Sequence, residues 1–318
     1  MHRIAILDDY FNAALTCADW ASLNPECSTT VFTEHLGDEA KAAEALKDFD
    51  VAVAMSERMQ FPASLFAQLP NLKLLISMKM DNPAIDMNAA KANGVAVSGT
   101  GMISAASEQA WALIMAIVRK TSREDRVMRS GGWQSGYSNS LYKKTLGILG
   151  LGKLGGRVAV VGQAFGMRVI AWSQNLTPEM CEKQGVEYVD KETLMKESDV
   201  LSLHVKLSER TEGIIGVNEL SLMKSSAFLV NMARGPLIDE AALLDVLQNN
   251  KIAGAGLDVF DVEPLPADYP IRALDNVVLT GHMGYVTEEN YKFCYGQAVE
   301  GIQAWFDGKP VRVLNDAK

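Results

Sequence analysis

Cysteine is scarce in this chain of 318 residues, and no C-x-x-C pair occurs. The four cysteines are Cys17, Cys27, Cys181 and Cys294. Such scattered positions predict neither a metal site nor a disulfide framework, and we expect free thiols in a reducing compartment. Positive charge is also in deficit, since 39 Asp and Glu residues against 30 Lys and Arg residues leave a net charge of −9. This balance disfavours nucleic acid and an anionic membrane surface as partners.

Long apolar runs are absent as well. The longest in a helical context, residues 111–118, is far shorter than the roughly 20 residues that cross a bilayer. The apolar run at the start of the chain ends at Asp8 and Asp9, which is too early for a signal peptide. We therefore expect a cytoplasmic protein. A chain of this length exceeds one ordinary hydrophobic core, so we expect two domains.

Short apolar runs alternate with helical patterns over the first hundred residues. Strands are predicted at Arg3–Leu7, Val51–Ala54, Leu72–Ser77 and Val95–Ser98, and helices at Glu39–Lys47, Ala63–Gln68 and Ile85–Asn93. This β-α-β alternation favours a parallel sheet. A long amphipathic segment, about 104–130, comes next and predicts a single helix that ends at Gly131.

A second β-α-β series begins near residue 144 and has six predicted strands. They are Thr145–Leu149, Arg168–Trp172, Val200–Leu203, Ala227–Asn231, Ala253–Asp258 and Val277–Leu279, with helices at Leu154–Phe165, Lys191–Glu197, Asn218–Met223, Glu240–Asn249 and, in the tail, Thr287–Asp307. The sequence thus predicts an α/β protein with two doubly wound parallel sheets, the second of the dinucleotide-binding kind.

A glycine-rich loop lies where the first strand of this second series turns into a helix. Gly150, Gly152 and Gly155 form a G-x-G-x-x-G pattern. The first glycine permits the tight turn, the second lets the backbone approach a pyrophosphate, and the third allows helix and strand to pack closely. The helix start, which includes Lys153 and Leu154, offers unpaired N–H groups to phosphate oxygens. The pattern predicts a site for the phosphates of a dinucleotide.

The residue after the predicted strand Arg168–Trp172 does not indicate that the protein binds NAD in preference to NADP. An acid is expected there to bind the ribose 2′-hydroxyl, and this chain has Ser173. No carboxylate would repel a 2′-phosphate, and no arginine stands next to Ser173 in the sequence to attract one. The choice between NAD and NADP stays open on these residues, and Ser173 is alternatively an ordinary polar strand end.

Three ionisable residues come after the later strands of the series. Arg234, Glu263 and His282 each come after an apolar strand, and the carboxyl ends of parallel strands face the ligand in a doubly wound sheet. Arginine can anchor a carboxylate with two hydrogen bonds, and histidine can donate a proton to a carbonyl oxygen near neutral pH. A neighbouring Glu would favour the imidazolium and orient it. Taken one at a time, Arg234 could be a surface ion pair and Glu263 a plain turn residue before Pro264.

The sequence resembles the D-isomer-specific 2-hydroxyacid dehydrogenase family, which includes phosphoglycerate dehydrogenase and glyoxylate/hydroxypyruvate reductase. The segments that carry the resemblance are Thr145–Gly156, Phe165–Ala171, Asp199–His204, Asn231–Glu240 and Gly256–Pro266. The resemblance implies that Arg234, Glu263 and His282 are the catalytic Arg, Glu and His. It also implies cofactor contacts by Lys153, His204, Ala233 and Asp258, although a His in an apolar strand is more often a core residue.

The resemblance further implies the domain organisation and the activity. A flavodoxin-like substrate domain of residues 1–100 and 285–318 would enclose, in the chain, a Rossmann nucleotide domain of residues 101–284. The expected activity is hydride transfer between NAD or NADP, with NAD slightly favoured, and a small D-2-hydroxy acid or 2-oxo acid. No metal is expected, and relatives usually form homodimers.

One loop departs from the family pattern. Met78, Lys79 and Met80 match a loop that cradles the substrate carboxylate in relatives, where Thr-Gly-Met-Arg-Asn is usual. Here Lys79 replaces the Gly and Asp81 replaces the Arg, while Gly281 replaces a frequent Pro before the catalytic His. Lys79 is a candidate for binding a phosphate or a second carboxylate of the substrate. The departure keeps open an alternative function, a catalytically weak, nicotinamide-sensing scaffold that acts through protein contacts as co-repressors do.

Overall fold

The structure, a computed structural model, describes residues 1–315 and divides into two compact units. The first unit consists of Met1–Ile103 and the chain from Val286 onward, and the second unit consists of Ser104–Tyr285. The boundaries expected from the sequence were 100/101 and 284/285. The last three residues of the expected segment 285–318 lie outside the described residues.

The first unit contains a sheet of five parallel strands in the order β2-β1-β3-β4-β5. Its strands are β1 (His2–Ile6), β2 (Cys27–Val31), β3 (Val51–Ala54), β4 (Leu74–Ser77) and β5 (Ala96–Gly99), and its first helices are α1 (Ala14–Cys17), α2 (Glu39–Leu46), α3 (Ala63–Phe66) and α4 (Met87–Ala92). This strand order is flavodoxin-like. Strands β3, β4 and β5 are buried along their whole length, which explains why their sequences are mostly apolar.

The second unit contains a sheet of seven parallel strands in the order β12-β11-β10-β9-β6-β7-β8. Its strands are β6 (Thr145–Leu149), β7 (Arg168–Trp172), β8 (Glu187–Tyr188), β9 (Val200–Leu203), β10 (Phe228–Asn231), β11 (Gly254–Leu257) and β12 (Val277–Leu279), and its helices are α5 (Ala106–Val118), α6 (Thr121–Arg129), α7 (Lys153–Ala164), α8 (Pro178–Glu182), α9 (Lys191–Glu197), α10 (Val217–Leu222) and α11 (Glu240–Gln248). Counted from β6, this is the strand order of dinucleotide-binding folds extended by one strand. The predicted fold class, two doubly wound parallel sheets, is confirmed.

The chain returns to the first unit as α12 (Glu288–Phe306), which packs against α1 and β4. Short polar side chains set the helix starts. Thr287 accepts a hydrogen bond from the backbone N–H of Asn290 at the start of α12, and Asp38, Asp86, Asp190 and Asp239 cap four other helices in the same way. None of the helices in residues 1–315 has the length and apolar content to cross a membrane.

The main differences from the sequence predictions concern two strands and one helix. The polar strand β2 was not predicted, because Cys27–Val31 is an edge strand with only partly buried side chains. The two-residue strand β8 was missed because both of its residues are exposed. The single helix predicted at 104–130 is two helices, α5 and α6, because Lys120 adopts a left-handed backbone with φ of 55° between them.

Candidate active site

The glycine-rich loop joins β6 to α7, as predicted. Gly150 has φ of +100°, and a Cβ there would lie 2.9 Å from the backbone of His204 and of Val205. A Cβ on Gly155 would overlap the carbonyl oxygen of Gly150. Both positions therefore require glycine, the first for its backbone conformation and the second because helix and loop approach closely.

The start of α7 has the features that a dinucleotide pyrophosphate needs. Gly152 is the N-cap residue, has no side chain to satisfy the first N–H groups, and precedes a first turn without acids. A Cβ placed on Gly152 would meet nothing within 4 Å, so the space beside the helix start is open. The N–H groups of Lys153, Leu154 and Gly155, which have no intrahelical acceptor, can bind phosphate oxygens there.

The turn after β7 contacts an arginine, Arg210, that the sequence analysis did not connect with it. Ser173 comes directly after β7 and is partly buried. The amide of Gln174 donates to the backbone carbonyl of Arg210 at 3.0 Å, and the Arg210 guanidinium lies 3.5 Å from Asn175 Oδ1. The sequence analysis found no arginine adjacent to Ser173 in the sequence, and the structure places Arg210, from the loop after β9, beside the two residues that follow Ser173.

His204 comes directly after β9 and is partly buried. Its Nε2 lies 2.9 Å from the hydroxyl oxygen of Ser202, and its backbone N–H donates to Leu149. Burial lowers the pKa of His204 to about 4, so the ring is neutral at physiological pH. These contacts favour a structural role in supporting the glycine-rich loop, whose Gly150 packs against the His204 backbone.

Glu263 and His282 form the central pair of the site. His282 Nδ1 lies 2.7 Å from Glu263 Oε2, and Oε1 of the same carboxylate accepts the N–H of Phe260 at 2.9 Å. Burial raises the pKa of Glu263, but the hydrogen bond and charge of His282, the Phe260 N–H and the charge of Arg234 outweigh burial and lower it. Glu263 is therefore a carboxylate that holds the imidazole at its Nδ1 atom. Within residues 1–315, Nε2 of His282 has no hydrogen-bond partner.

Arg234 comes after β10 on a loop that is tightly organised. The buried side chain of Asn231 accepts the N–H of Ala233 at 3.0 Å and donates to the carbonyl of Arg234 at 2.8 Å. The Arg234 guanidinium donates to the carbonyl of Ala233 at 2.6 Å. A Cβ on the next residue, Gly235, would overlap the backbone of Phe260, so this loop lies directly against the segment that carries Glu263.

Asp258 anchors the loop that carries His282. Its side chain is fully buried and accepts hydrogen bonds from the Thr280 hydroxyl (2.5 Å), the Met283 N–H (2.7 Å) and the Gly284 N–H (3.0 Å). Its backbone carbonyl accepts the N–H of His282 at 2.7 Å. Burial raises the pKa of Asp258, which these donors offset only in part. The contact with a cofactor that the resemblance implied stays a prediction.

Gln109 of α5 is a residue that the sequence analysis missed. Its amide donates to the Thr280 hydroxyl oxygen at 3.0 Å and approaches Asp258 Oδ1 at 3.5 Å. Because the Thr280 hydroxyl donates its own hydrogen to Asp258, the three side chains form a polar relay beside the His282 loop. No local sequence signal could reveal it, since Gln109 and Thr280 are 171 residues apart.

The predicted substrate loop comes after β4 in the first unit, and its lysine is already paired. Lys79 Nζ lies 2.6 Å from Glu57 Oε1, with 26% of the lysine side chain and 16% of the glutamate side chain exposed. Met78 is buried, whereas Met80 is 46% exposed. Lys79 is thus paired within its own unit, and its binding of a phosphate or second carboxylate stays a prediction. In the part of the chain that the structure describes, no group of His, Cys, Asp and Glu is arranged to hold a metal.

Comparisons with known proteins identify similar sequences over most of the chain. A sequence model of the "D-isomer specific 2-hydroxyacid dehydrogenase, NAD binding domain" matches residues 111–284. The chain is 37% identical over 294 residues to a glyoxylate reductase of Aeropyrum pernix, covering 89% of this chain and 86% of the relative.

Two solved structures extend the match to almost the whole chain. One, described as a D-3-phosphoglycerate dehydrogenase oxidoreductase from Ralstonia solanacearum, has a TM-score of 0.93 at 31% identity and covers 100% of this chain and 98% of that chain. The other, an acyclic imino acid reductase in complex with NADPH and D-Arg, has a TM-score of 0.71 at 31% identity and covers 98% and 99%.

The fold and the site therefore define a dinucleotide-dependent α/β oxidoreductase. The chain belongs to the D-isomer-specific 2-hydroxyacid dehydrogenase family. It is an enzyme that uses NAD or NADP, and its reaction is hydride transfer between that cofactor and 2-hydroxy acids or 2-oxo acids.

Proposed function

We propose that this protein reduces small 2-oxo acids of the glyoxylate and hydroxypyruvate type to D-2-hydroxy acids, with Arg234, Glu263 and His282 as its catalytic residues. The observation that carries the proposal is the 2.7 Å contact between His282 Nδ1 and Glu263, which leaves Nε2 as the nitrogen that can exchange a proton with substrate. Similarity to a glyoxylate reductase supports this substrate class.

The pair of Glu263 and His282 determines how the proton is transferred to the substrate. A reduced nicotinamide, when bound, supplies the hydride that adds to the carbonyl carbon. The imidazolium of His282 gives its Nε2 proton to the carbonyl oxygen, which becomes the hydroxyl of the product. The remaining Nδ1–H stays donated to Glu263, whose negative charge stabilises the cationic ring before the transfer. In the oxidative direction, neutral His282 takes the hydroxyl proton at Nε2.

Arg234 would bind the carboxylate of the substrate. A guanidinium stays charged at all relevant pH values and presents parallel N–H groups that match a carboxylate. The hydrogen bonds of Asn231 and Ala233 limit the conformations of the Arg234 loop, which favours binding because less conformational entropy is lost.

The loop of Met78, Lys79 and Met80 is our candidate for the remaining substrate contacts. Met80 and the backbone of this loop would touch the substrate, while the ion pair with Glu57 would hold the lysine in place. Whether Lys79 also binds a phosphate or second carboxylate is testable. If it does, Lys79→Gly raises KM far more for a phosphorylated 2-oxo acid than for a plain one. If the ion pair only holds the loop, KM for both substrates changes by the same factor.

We further propose that the second unit binds the cofactor through Gly150, Gly152, Lys153, Leu154 and Gly155. Ser173, Ala233, His204 and Asp258 would line or support that site, and the first unit would act as the substrate domain. Binding of NADPH or NADH to a Gly152→Leu variant tests the first part. Because the leucine side chain would fill the open space beside α7, we expect the affinity for either nucleotide to fall at least about tenfold.

A homodimer and a cytoplasmic location complete the proposal. Trp133, Tyr137 and Tyr142 are 74%, 91% and 65% exposed on one segment, and burial of these aromatic rings against a second copy would stabilise a dimer. The four cysteines are all free thiols, which suits a reducing compartment. Light scattering on the purified protein and cell fractionation test the two statements.

The alternative of a catalytically weak, nicotinamide-sensing scaffold receives no support from the comparisons, in which the relatives are reductases and a dehydrogenase. The deciding experiment is a panel of 2-oxo acids with NADH and with NADPH, with the chirality of each product determined. We expect turnover on at least one small 2-oxo acid and a D-configured product wherever the product is chiral. Cofactor binding without turnover on any substrate, and a His282→Ala variant equal to the parent, would overturn the proposal.

A further inference from the structure

We propose that Arg210 is a specificity-determining residue that makes the protein prefer NADP(H) over NAD(H), by binding the 2′-phosphate of the adenosine ribose. The inference rests on the proposed dinucleotide site and names which nucleotide it takes. It starts from Ser173, which occupies the position after β7 where an acid would bind the free ribose hydroxyls of NAD and repel a phosphate.

The segment between β9 and α10 runs from the glycine-rich loop to this turn. At its start, Val205 lies against Gly150, where an added Cβ would come within 2.8 Å of the valine side chain. The N–H of Gly150 also donates to the carbonyl of Trp172, the residue before Ser173. The loop that would hold the pyrophosphate and the turn that would hold the adenosine ribose are therefore neighbours, and the segment that carries Arg210 lies beside both.

Arg210 is held at the turn by specific contacts. Gln174 donates to the carbonyl oxygen of Arg210 at 3.0 Å, which fixes the backbone of the arginine beside the residue after Ser173. The Arg210 segment is also internally bonded, since the Thr211 hydroxyl donates to the carbonyl of Lys206 at 2.6 Å and accepts the N–H of Ser208 at 2.8 Å. The guanidinium is thus presented at the turn from an ordered loop.

The charge of Arg210 is not neutralised by a carboxylate. Although Glu209 and Glu212 flank it in sequence, Arg210 forms no salt bridge with any residue that the structure describes. Its one side-chain contact within residues 1–315 is the long 3.5 Å approach to the amide oxygen of Asn175, which is weak by hydrogen-bond criteria. The other guanidinium N–H groups remain available to a phosphate, which arginine binds through two parallel hydrogen bonds.

Equilibrium binding tests the inference without any need for turnover. We would measure the affinity of the whole protein for NADPH and NADH by calorimetry, and for adenosine 2′,5′-bisphosphate and AMP as fragments that lack nicotinamide. A charge-assisted pair of this kind predicts that NADPH binds about tenfold or more tighter than NADH. Arg210→Gln should remove that preference and leave the affinity for NADH within about twofold. Arg210→Lys should retain an intermediate preference, because it keeps the charge but loses the planar fork.

Two further variants sharpen the result. Ser173→Asp should reverse the preference towards NADH by repelling the phosphate. Arg123→Gln is the matched control, because it removes an equivalent exposed charge from α6 and should change neither affinity. A parent protein that prefers NADH, or an Arg210→Gln variant that weakens both nucleotides equally, would overturn this inference while leaving the dehydrogenase proposal intact. If neither nucleotide nor either fragment binds, this inference and the proposed function fail together.

Discussion

The two sheets of this protein share an architecture but differ in the residues that come after their strands. In the first unit, charged residues after β1, β3 and β4 form ion pairs within the unit, although Asp8 Oδ2 and Asp9 Oδ1 are buried without a hydrogen-bond partner among the described residues. Lys79 pairs with Glu57, and Asp8, only 2% exposed, pairs with His35 at 2.9 Å. In the second unit, the pair of Glu263 and His282 leaves the second imidazole nitrogen without a partner on residues 1–315.

This difference shows how two similar sheets can have different roles, one structural and one catalytic. A parallel sheet brings the ends of its strands to one edge in both units, so topology alone does not distinguish them. A salt bridge between two side chains that pair with each other stabilises the loop that carries them. An imidazole that is oriented through one nitrogen can transfer a proton through the other nitrogen. If the first edge is structural and the second catalytic, substitutions at the two edges should have different effects.

Apart from substitution of His282 itself, the largest effect is expected for Arg234→Gln. Loss of the charged fork removes the anchor for the substrate carboxylate, so we expect kcat/KM for a 2-oxo acid to fall about 100- to 1,000-fold. Arg234→Lys should recover only part of this loss, because a lysine cannot bind the carboxylate with two parallel hydrogen bonds. Steady-state kinetics measure the effect, and unchanged affinity for NADPH serves as the control. A variant with parental kcat/KM would remove Arg234 from the site.

His204 should make stability depend on pH in the second unit. Its pKa in the folded protein is about 4, below the ordinary value of 6.5, so the unfolded chain binds the proton more tightly. The contribution of His204 to the free energy of unfolding is therefore fully present above pH 6.5. It is lost as the pH falls towards 4, by at most about 3 kcal/mol. Urea unfolding at several pH values measures this.

The matched variants for this test are His204→Asn and His2→Asn. His204→Asn should reduce the pH dependence of the free energy of unfolding between pH 6.5 and about pH 4, because the titrating ring is removed. The second, on the first strand of the other unit, should leave that part of the profile as it is in the parent. Equal profiles for the parent and His204→Asn would show that the ring is not a neutral, buried group.

The ion pair of the first unit should contribute to stability more than to chemistry. Lys79→Met removes the cation that pairs with the partly buried Glu57, and we expect a loss of about 1–2 kcal/mol after allowance for the exposure of both groups. The double variant Lys79→Met with Glu57→Gln should regain part of that loss. Chemical denaturation measures both. If the single variant is as stable as the parent, the ion pair does not hold the loop.

The smallest effect is expected for Gln109→Leu, which breaks the relay to Thr280 and Asp258. A looser His282 loop should lower kcat about fivefold to tenfold, with little change in KM or cofactor affinity. Thr280→Val should act similarly and non-additively with Gln109→Leu, and Thr280→Ser, which keeps the hydroxyl, should restore most of the rate. The exposed Gln248→Leu is the control. Fully additive losses would show that the two side chains act independently.

Much of the fold could be predicted from the sequence because buried parallel strands are apolar throughout and helices separate them. Val51–Ala54 and Thr145–Leu149 were predicted to the residue for this reason. Edge strand β2 carries polar, half-exposed residues and gave no such signal. The break between α5 and α6 was also missed, since Lys120 is neither glycine nor proline and its left-handed backbone has no local signature.

The candidate site was predictable where residues come after strands of one sheet. Glu263 and His282 were expected to be neighbours because both come after strands of one parallel sheet. The 2.7 Å contact between them agrees with that expectation, and β11 and β12 are adjacent in the sheet. Arg210 and Gln109 were missed because each reaches the site from a segment distant in sequence. The pairing of Lys79 with Glu57 was missed for a related reason, since it depends on β3 lying beside β4.

The central claim is that the second unit transfers the proton through His282. The most direct test is the oxidation of saturating NADPH or NADH by hydroxypyruvate in the parent and in His282→Gln, with cofactor affinity measured in parallel. We predict that kcat falls about 100- to 10,000-fold in the variant while cofactor affinity is unchanged. A His282→Gln enzyme that turns over hydroxypyruvate at the parental rate would contradict the account.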